Sequence, residues 1–273
     1  MQIASRQPLW NNGRKGTVVT VEMTDATGLY IKFLSNTIEG VPVVVSWGDG
    51  SRDTYPDASE SGNNFTYDHT YAKTGRYRIT ISGIGSIGFR SLDGERQYSY
   101  DAAVTSVVDY AGQIKQSRSG AFKNATNLTE YIAPSCMWMG QRDFAYCRKL
   151  KKVVIGESDI YYDGTFQYCS ALVDFTTKRS WTCWSYVWQG CTALEELHLG
   201  EVNQFATNDF GSTPNLMDIW IDNKTVDQIK QVATKGNIVS GYGAKFPWGA
   251  NASCRFHGTD GVVLGNGTVI EKF

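Results

Sequence analysis

Hydrophobic positions in the middle of the chain recur every 22 residues. Aromatic residues open five consecutive units at Phe122, Phe144, Phe166, Trp188 and Phe210. Leucines follow six positions later at Leu128, Leu150, Leu172, Leu194 and Leu216. A third column lies between them and consists of Ala125, Cys147, Cys169, Cys191 and Thr213. Three columns in register predict a solenoid, in which each unit buries its apolar side against the next.

Each unit combines two hydrophobic patterns. From the leucine onward the chain alternates as L-x-x-L-x-L, for example in residues 194–199, which predicts a strand that contributes one rung to a parallel sheet. The aromatic-x-x-Cys-x-x-Leu half has apolar residues at spacings of three and predicts a tight helical or 3₁₀ turn. Rungs about 4.8 Å apart would build a sheet roughly 20 Å long from these units.

The same residues carry a resemblance to a known family. Phe144-Ala-Tyr-Cys147, Phe166-Gln-Tyr-Cys169 and Trp188-Gln-Gly-Cys191 resemble BspA-type leucine-rich repeats over about residues 121–222. Proteins of that type are found in gut-associated bacteria, their phages and some protists, and are mostly associated with surface attachment. The resemblance therefore implies binding without chemistry.

The N-terminal part shows a shorter, alternating pattern. Strands are predicted at residues 17–23, 30–33, 43–47 and 77–81, with a turn at Asp49-Gly50. Several such strands without a convincing helix predict an antiparallel sandwich. Trp47-Gly-Asp-Gly50, followed by His69-x-Tyr71 and Gly75-x-Tyr77, resembles the PKD domain. That resemblance implies an immunoglobulin-like spacer or interaction module.

The expected architecture is β-rich and divides the chain into four parts. Residues 1–84 are the PKD-like sandwich, and residues 85–120 are a linker with a degenerate capping rung. Residues 121–222 are the leucine-rich-repeat solenoid, and residues 223–273 are a C-terminal cap. In the cap, Thr225-Val-Asp-Gln228 is a capping box for a helix that ends at Gly236, and a terminal hairpin follows.

Composition narrows the classes of partner. Lys and Arg number 26 against 27 Asp and Glu, for a net charge of −1, which argues against a nucleic-acid partner. No apolar run approaches the roughly 18 residues that a membrane-spanning helix needs, so membrane insertion is not expected. Residues 1–10 lack the apolar segment of a secretory signal. Either the protein does not use general secretion or a leader has been removed.

Catalytic chemistry finds little support in the sequence. The cysteines of the repeat column are interpreted as core thiols, and no paired C-x-x-C spacing predicts zinc. The sequence has 3 histidines and contains no G-x-S-x-G nucleophile motif, no H-E-x-x-H metalloprotease motif and no glycine-rich phosphate-binding motif. Asp49 could contribute to a calcium site, although a turn aspartate usually binds backbone amides. We therefore expect that the protein binds no cofactor and no metal ion and is not an enzyme.

Two surfaces are candidates for binding. The outward positions of the repeat strands include Glu130, Asp174, Glu196, Asp218, His198 and Trp220. Acidic residues in one column would favour a basic or hydroxyl-rich partner, although a merely solvated face is the open alternative. A second candidate is an exposed aromatic cluster on the variable connection, which is suited to sugar rings or an interface: Trp181, Trp184 and Tyr186, beside Tyr161 and Tyr162.

These features favour a non-catalytic recognition or structural protein. The absent signal segment favours a phage virion component (a fibre, decoration or tail-associated protein) that mediates attachment to a host surface or glycan. The alternatives are an exported bacterial cell-surface adhesin whose leader was removed and, more weakly, a glycan-active enzyme. The expected partners are virion or cell-surface proteins and glycans, and a homo-oligomer on the particle is open.

Overall fold

The repeat pattern builds a β-solenoid, and we describe it from a computed structural model. The structure describes residues 16–56, 65–89, 102–205, 209–235 and 246–273, and excludes the side chains of residues 232–235. The solenoid makes about five turns over residues 106–220, and the fold is β-rich with almost no helix. The predicted fold class is therefore confirmed.

Each complete turn of the solenoid contributes a strand to a principal sheet. Its parallel strands run from one end of the solenoid to the other: β7 (Val104–Asp109), β8 (Glu130–Ala133), β10 (Lys152–Ile155), β12 (Asp174–Thr176), β14 (Glu196–His198) and β16 (Asp218–Trp220). The registers follow the repeat, since Lys152 pairs with both Glu130 and Asp174. Ser106 pairs with Glu130, so β7 adds an N-terminal rung whose spacing is 24 residues.

A second parallel sheet occupies the opposite side of each turn. It consists of β9 (Trp138–Met139), β11 (Glu157–Tyr161), β13 (Arg179–Cys183) and β15 (Gln204–Phe205). The interpretation of the Trp181 segment as a variable connection was therefore wrong, because Ser180 and Thr182 pair in register with Ser158 and Ile160.

The predicted helical or 3₁₀ turn after the second sheet is instead a series of hydrogen-bonded turns. Left-handed backbone recurs there at two columns of positions: Gly120, Arg142, Gly164 and Tyr186, and Asn124, Tyr146, Tyr168, Gly190 and Ser212. Most of these residues are not glycine, so the conformation carries a steric cost. Hydrogen bonds between rungs offset it, as when the Tyr146 N–H donates to the Gln167 carbonyl at 2.8 Å.

Between the two sheets lie the stacked repeat columns. The aromatic, cysteine and leucine positions of the repeat are fully or almost fully buried, which confirms the predicted core. Phe122 stacks on Phe144 with ring centroids 5.0 Å apart, and Phe144 stacks on Phe166 at 5.4 Å. Each turn thus presents nearly the same apolar surface to the next, and this is why a 22-residue repeat produces a solenoid.

The N-terminal strands form two layers. Their bounds are β1 (Thr17–Met23), β2 (Tyr30–Ser35), β3 (Val43–Ser46), β4 (Arg52–Tyr55), β5 (Phe65–Thr70) and β6 (Gly75–Ser82). Strands β4-β3-β6-β1 are consecutive in one sheet and β2 pairs with β5 in another. Phe33 of β2 packs against Trp47 after β3, with ring centroids 5.9 Å apart.

The N-terminal strands join the solenoid through backbone pairing. Strand β1 pairs antiparallel with β7, so the two regions share one sheet, which has thirteen strands among the described residues. Phe89 bridges the two interiors, since its ring lies 6.0 Å from Phe33 and 5.9 Å from Phe122. The hydrophobic core is therefore continuous across the junction.

The C-terminal residues extend the same sheet. Helix α1 (Val226–Lys235) follows the last repeat, and β17 (Arg255–Gly258) then pairs in parallel with β16. Strands β18 (Gly261–Leu264) and β19 (Val269–Lys272) complete the sheet in antiparallel orientation. The predicted capping box is confirmed, because Thr225 and Gln228 exchange hydrogen bonds of 2.9 and 3.2 Å. The predicted helix end at Gly236 lies outside the described residues.

Candidate functional site

The outward face of the principal sheet carries the predicted acidic column. Backbone pairing places Glu130 beside Lys152, Lys152 beside Asp174, and Glu196 beside Asp218. The residues of the column therefore lie beside each other on adjacent strands, with Lys152 between Glu130 and Asp174.

Two of the four carboxylates are neutralised by neighbouring side chains. The Lys152 Nζ donates to Asp174 Oδ2 at 2.6 Å. Asp218 accepts hydrogen bonds from Arg255 and forms one of 2.7 Å with His257 Nε2. Burial alone would raise the pKa of the Asp218 carboxyl, but the contacts with Arg255 and His257 outweigh it and lower that pKa. The expectation of four carboxylates open to a basic partner is thus reduced to Glu130 and Glu196.

Three aromatic rings form a stack beside this column. The His198 ring lies 4.1 Å from the Trp220 ring, with an angle of 2° between the planes. The His257 ring lies 4.5 Å from the other side of Trp220 at 9°. The sequence identified His198 and Trp220, but it could not place His257, because the rung of β17 starts 37 residues after that of β16.

A shallow groove lies on the same face between the rungs of β12 and β16. It has a volume of about 650 Å³ and is lined by Val173, Ala193, Glu195, Glu196, Pro214, Asn215, Met217 and Asp218. Val173 and Met217 are exposed, at 53% and 43% of their surfaces. The groove therefore combines apolar walls with carboxylates. Of its lining residues, the sequence pattern predicted only Glu196 and Asp218 as binding residues.

The predicted aromatic cluster lies on the other side of the solenoid. Trp181, Trp184 and Tyr186 are exposed at 39%, 37% and 39%. Trp184 stacks on Tyr162 of the preceding rung at 5.9 Å. Trp181 lies on β13, Trp184 directly follows that strand and Tyr186 lies in the next turn. Together with Tyr162 we call these side chains the aromatic row.

Tyr161 does not belong to this surface, and its assignment to the site was wrong. It is fully buried, and its hydroxyl donates to Thr177 Oγ1 at 3.2 Å. Successive residues of a strand point to opposite faces, so Tyr161 turns into the core while Tyr162 remains half-buried at the surface.

The aromatic surface is larger than the sequence indicated. Tyr146 stacks on Tyr168 at 5.1 Å, and a Cβ at the next equivalent position, Gly190, would lie only 2.4 Å from the Tyr168 ring. Arg179 forms an ion pair with Asp159 and lies 5.8 Å from the Trp181 ring centre. The 22-residue offsets of these tyrosines were the signal that could have revealed the stack.

The N-terminal motifs meet in one hydrogen-bonded cluster. Asp49 Oδ1 accepts hydrogen bonds from the Ser51 N–H and hydroxyl at 2.9 and 2.5 Å, and Oδ2 lies 2.7 Å from His69 Nε2. The bond from the Ser51 hydroxyl is the largest cause that lowers the pKa of Asp49 to about 2. The His69 ring also stacks on Trp47 at 4.8 Å. Asp49 thus binds turn donors, as predicted for an aspartate in a turn.

The cysteine column is a structural feature of the core. The thiols of Cys147, Cys169 and Cys191 donate to main-chain carbonyls at 3.0, 3.1 and 3.3 Å. Burial raises the pKa of Cys191 to about 12, so this thiol is protonated at neutral pH and is a poor nucleophile. Within the described ranges no three His, Cys, Asp or Glu side chains are placed to hold a metal ion.

Comparisons with known proteins identify the repeat region. The model of the BspA type leucine-rich repeat region matches residues 114–237 in 6 copies. Neither the curated proteins nor the solved structures give a match to the chain. In the described part of the chain no helix is long and apolar enough to cross a membrane. The sequence of residues 114–237 is therefore similar to the BspA type leucine-rich repeat region.

Proposed function

We propose that this protein is a non-catalytic attachment module that binds a glycan on a host surface through the aromatic row of its second sheet. Leucine-rich repeats are recognition modules, which supports a binding role in general. The observation that carries the proposal is the set of exposed rings Trp181, Trp184 and Tyr186, with the half-buried Tyr162 stacked on Trp184.

The geometry of this row fits the flat faces of sugar rings. Aromatic side chains combine a large apolar face with a polar edge, and they lose little conformational entropy on binding. Trp184 is held by its stack on Tyr162, and Trp181 by the guanidinium of Arg179. A preorganised aromatic surface binds more tightly than a mobile one, because less ordering accompanies binding.

We further propose that the protein acts on a phage virion, as a fibre, decoration or tail-associated component. The N-terminal strands would serve as a PKD-like stalk, an idea that the joint cluster of Trp47, Asp49 and His69 supports. The alternative location is a bacterial cell surface. Labelling the protein on purified particles and on intact cells distinguishes the two.

A glycan array with the double variant Trp181→Ala/Trp184→Ala tests the binding site. We expect at least a tenfold loss of glycan binding, because stacking on two rings is removed. The melting temperature should change little, since both side chains are exposed. Wild-type protein that binds no glycan on a broad array would contradict the proposal.

The matched control is Trp220→Ala, a tryptophan on the opposite sheet. It removes the same side chain and leaves the aromatic row intact, so glycan binding should persist. Loss of binding in Trp220→Ala, but not in the double variant, would move the site to the principal sheet and overturn the assignment.

A further inference from the structure

Opposite charges occupy two separate rungs on the outward face of the principal sheet. Residues 148–152, which we call the basic segment, hold Arg148, Lys149, Lys151 and Lys152 at the rung of β10. Glu195 and Glu196, which we call the acidic pair, lie at the rung of β14. Strand β12 lies between these rungs, so the charges are arranged symmetrically about it.

Most of these charges have little compensation within the chain. Lys149 donates to an uncharged group, Asn127 Oδ1, at 2.8 Å, and Lys152 pairs with Asp174. Within the described residues, Lys151 and the acidic pair take part in no ion pair. Lys151, Glu195 and Glu196 are exposed. The face thus presents separated positive and negative charges to solvent.

The repeat spacing makes this face complementary to itself. Residues 151 and 195 lie 22 positions before and after Val173, and residues 152 and 196 stand in the same relation to Asp174. Consider a twofold axis that runs parallel to β12, just above the outward face. It would place a second copy face to face with the first, with the order of its rungs reversed. Lys151 would then face Glu195 of the second copy, and Lys152 would face Glu196. Twofold symmetry repeats each of these contacts.

Val173 and Asp174 lie where such an axis would pass. Asp174 would meet its own counterpart, and Lys152 of the same chain compensates each of these two carboxylates. Val173 is 53% exposed and would meet its own counterpart in the second copy. Val173 also borders the groove of about 650 Å³, whose far side is formed by Pro214 and Met217. The groove offers an apolar wall for the aliphatic stem of a lysine and carboxylates for its ammonium group.

The outer rungs do not oppose this arrangement. Glu130 would face Asp218 of the second copy, and these are like charges. However, Asp218 is already neutralised by Arg255 and His257, so the repulsion is reduced. Val154 would face His198 across the same interface, which adds no like-charge contact.

We propose that this face is a self-association surface, on which a second copy of the chain docks with its solenoid axis antiparallel to that of the first and with β12 at the centre. The proposal is independent of the glycan site, which lies on the other sheet. The face is about 24 Å long and a few residues wide, so it buries less than the roughly 800 Å² per partner of a standard interface. The association is therefore weak in solution and is strengthened where copies are held close together.

Sedimentation equilibrium of the full chain between roughly 10 and 500 µM tests the proposal. Wild-type protein should show a reversible monomer–dimer equilibrium that weakens with added salt. Lys151→Glu and Glu195→Lys should each raise the dissociation constant about tenfold or more, because each creates two like-charge contacts per dimer. The double variant Lys151→Glu/Glu195→Lys should restore dimerisation, since the complementary pair is rebuilt with its signs exchanged.

Two controls distinguish this interface from general electrostatics. Lys178→Glu makes the same charge change at an exposed residue outside the repeated face positions, and it should leave dimerisation unchanged. The charge-exchanged double variant should not pair with wild-type protein, because Lys151 would then meet a lysine.

Several results would overturn the proposal. Wild-type protein that stays monomeric throughout the range would do so, as would a double variant that fails to dimerise. A dimer that is insensitive to Lys151→Glu would place the interface elsewhere. Monomeric protein that binds a lysine decapeptide through Glu195 would assign the groove to a basic partner instead.

Discussion

The N-terminal region and the solenoid are stabilised in different ways. In residues 16–56 and 65–89 the contacts are individual, as in the cluster where Tyr71 packs on Tyr77 and its hydroxyl donates to the Trp47 carbonyl at 2.9 Å. In the solenoid one contact is repeated, as in the aromatic stack of Phe122, Phe144 and Phe166. Loss of one ring from a repeated stack disturbs the packing of the neighbouring rungs as well, whereas loss of an individual contact removes that contact alone.

The largest effect is expected where the repeated stack is interrupted. Phe166→Ala should lower the free energy of unfolding by about 3–5 kcal/mol, because it opens a cavity between two rungs. Denaturant unfolding measures this change. Lys178→Ala, at an exposed position of the next rung, is the control and should change stability by less than about 0.5 kcal/mol. An equal loss in both variants would contradict the stacked core.

A smaller effect is expected in the N-terminal cluster. Tyr71→Phe keeps the ring but removes the donor to the buried Trp47 carbonyl, which should cost about 1–2 kcal/mol. Tyr77→Phe is the matched control. Its hydroxyl donates to the Lys73 carbonyl at 2.8 Å in a partly buried position, so the loss should be smaller. Equal losses of unfolding free energy in the two variants would contradict the prediction that the hydrogen bond to the Trp47 carbonyl is the stronger one.

The smallest effect concerns the pH dependence of the same cluster. Asp49 has a pKa of about 2 in the folded protein against an ordinary value of 3.8, so its carboxylate stabilises the fold above pH 3.8. That contribution is lost as the pH falls from about 4 to about 2. Asp49→Asn should therefore show a shallower loss of stability over this interval. Parallel stability curves for wild type and variant would contradict the role of Asp49.

The sequence predicts the solenoid well because its core is periodic. A strict 22-residue spacing fixes which side chains stack, and burial of Phe144, Cys147 and Leu150 follows from it. The N-terminal strands were also predictable from their alternation, as at residues 17–23 and 77–81. Both signals are local or regularly repeated, so no long-range information is needed.

Other features depend on contacts that the spacing does not encode. The inward turn of Tyr161 depends on strand β11, whose register is set by its neighbours β9 and β13. Pairing of β1 with β7 joins segments far apart in the chain, and the rung of β17 follows an interruption of the repeat. The neutralisation of Asp218 could not be foreseen, because Arg255 and His257 lie on that additional rung.

The shared thirteen-stranded sheet has one further consequence. In the described part of the chain its two outer strands are β4 at one end and β19 at the other. Unpaired backbone at such ends invites other chains to add strands and to polymerise into fibrils. Both ends carry exposed ionic groups, Arg52 and Asp53 on β4 and Glu271 and Lys272 on β19. Charges on an outer strand disfavour such pairing, so we expect the two ends of this sheet to resist the addition of strands from other copies.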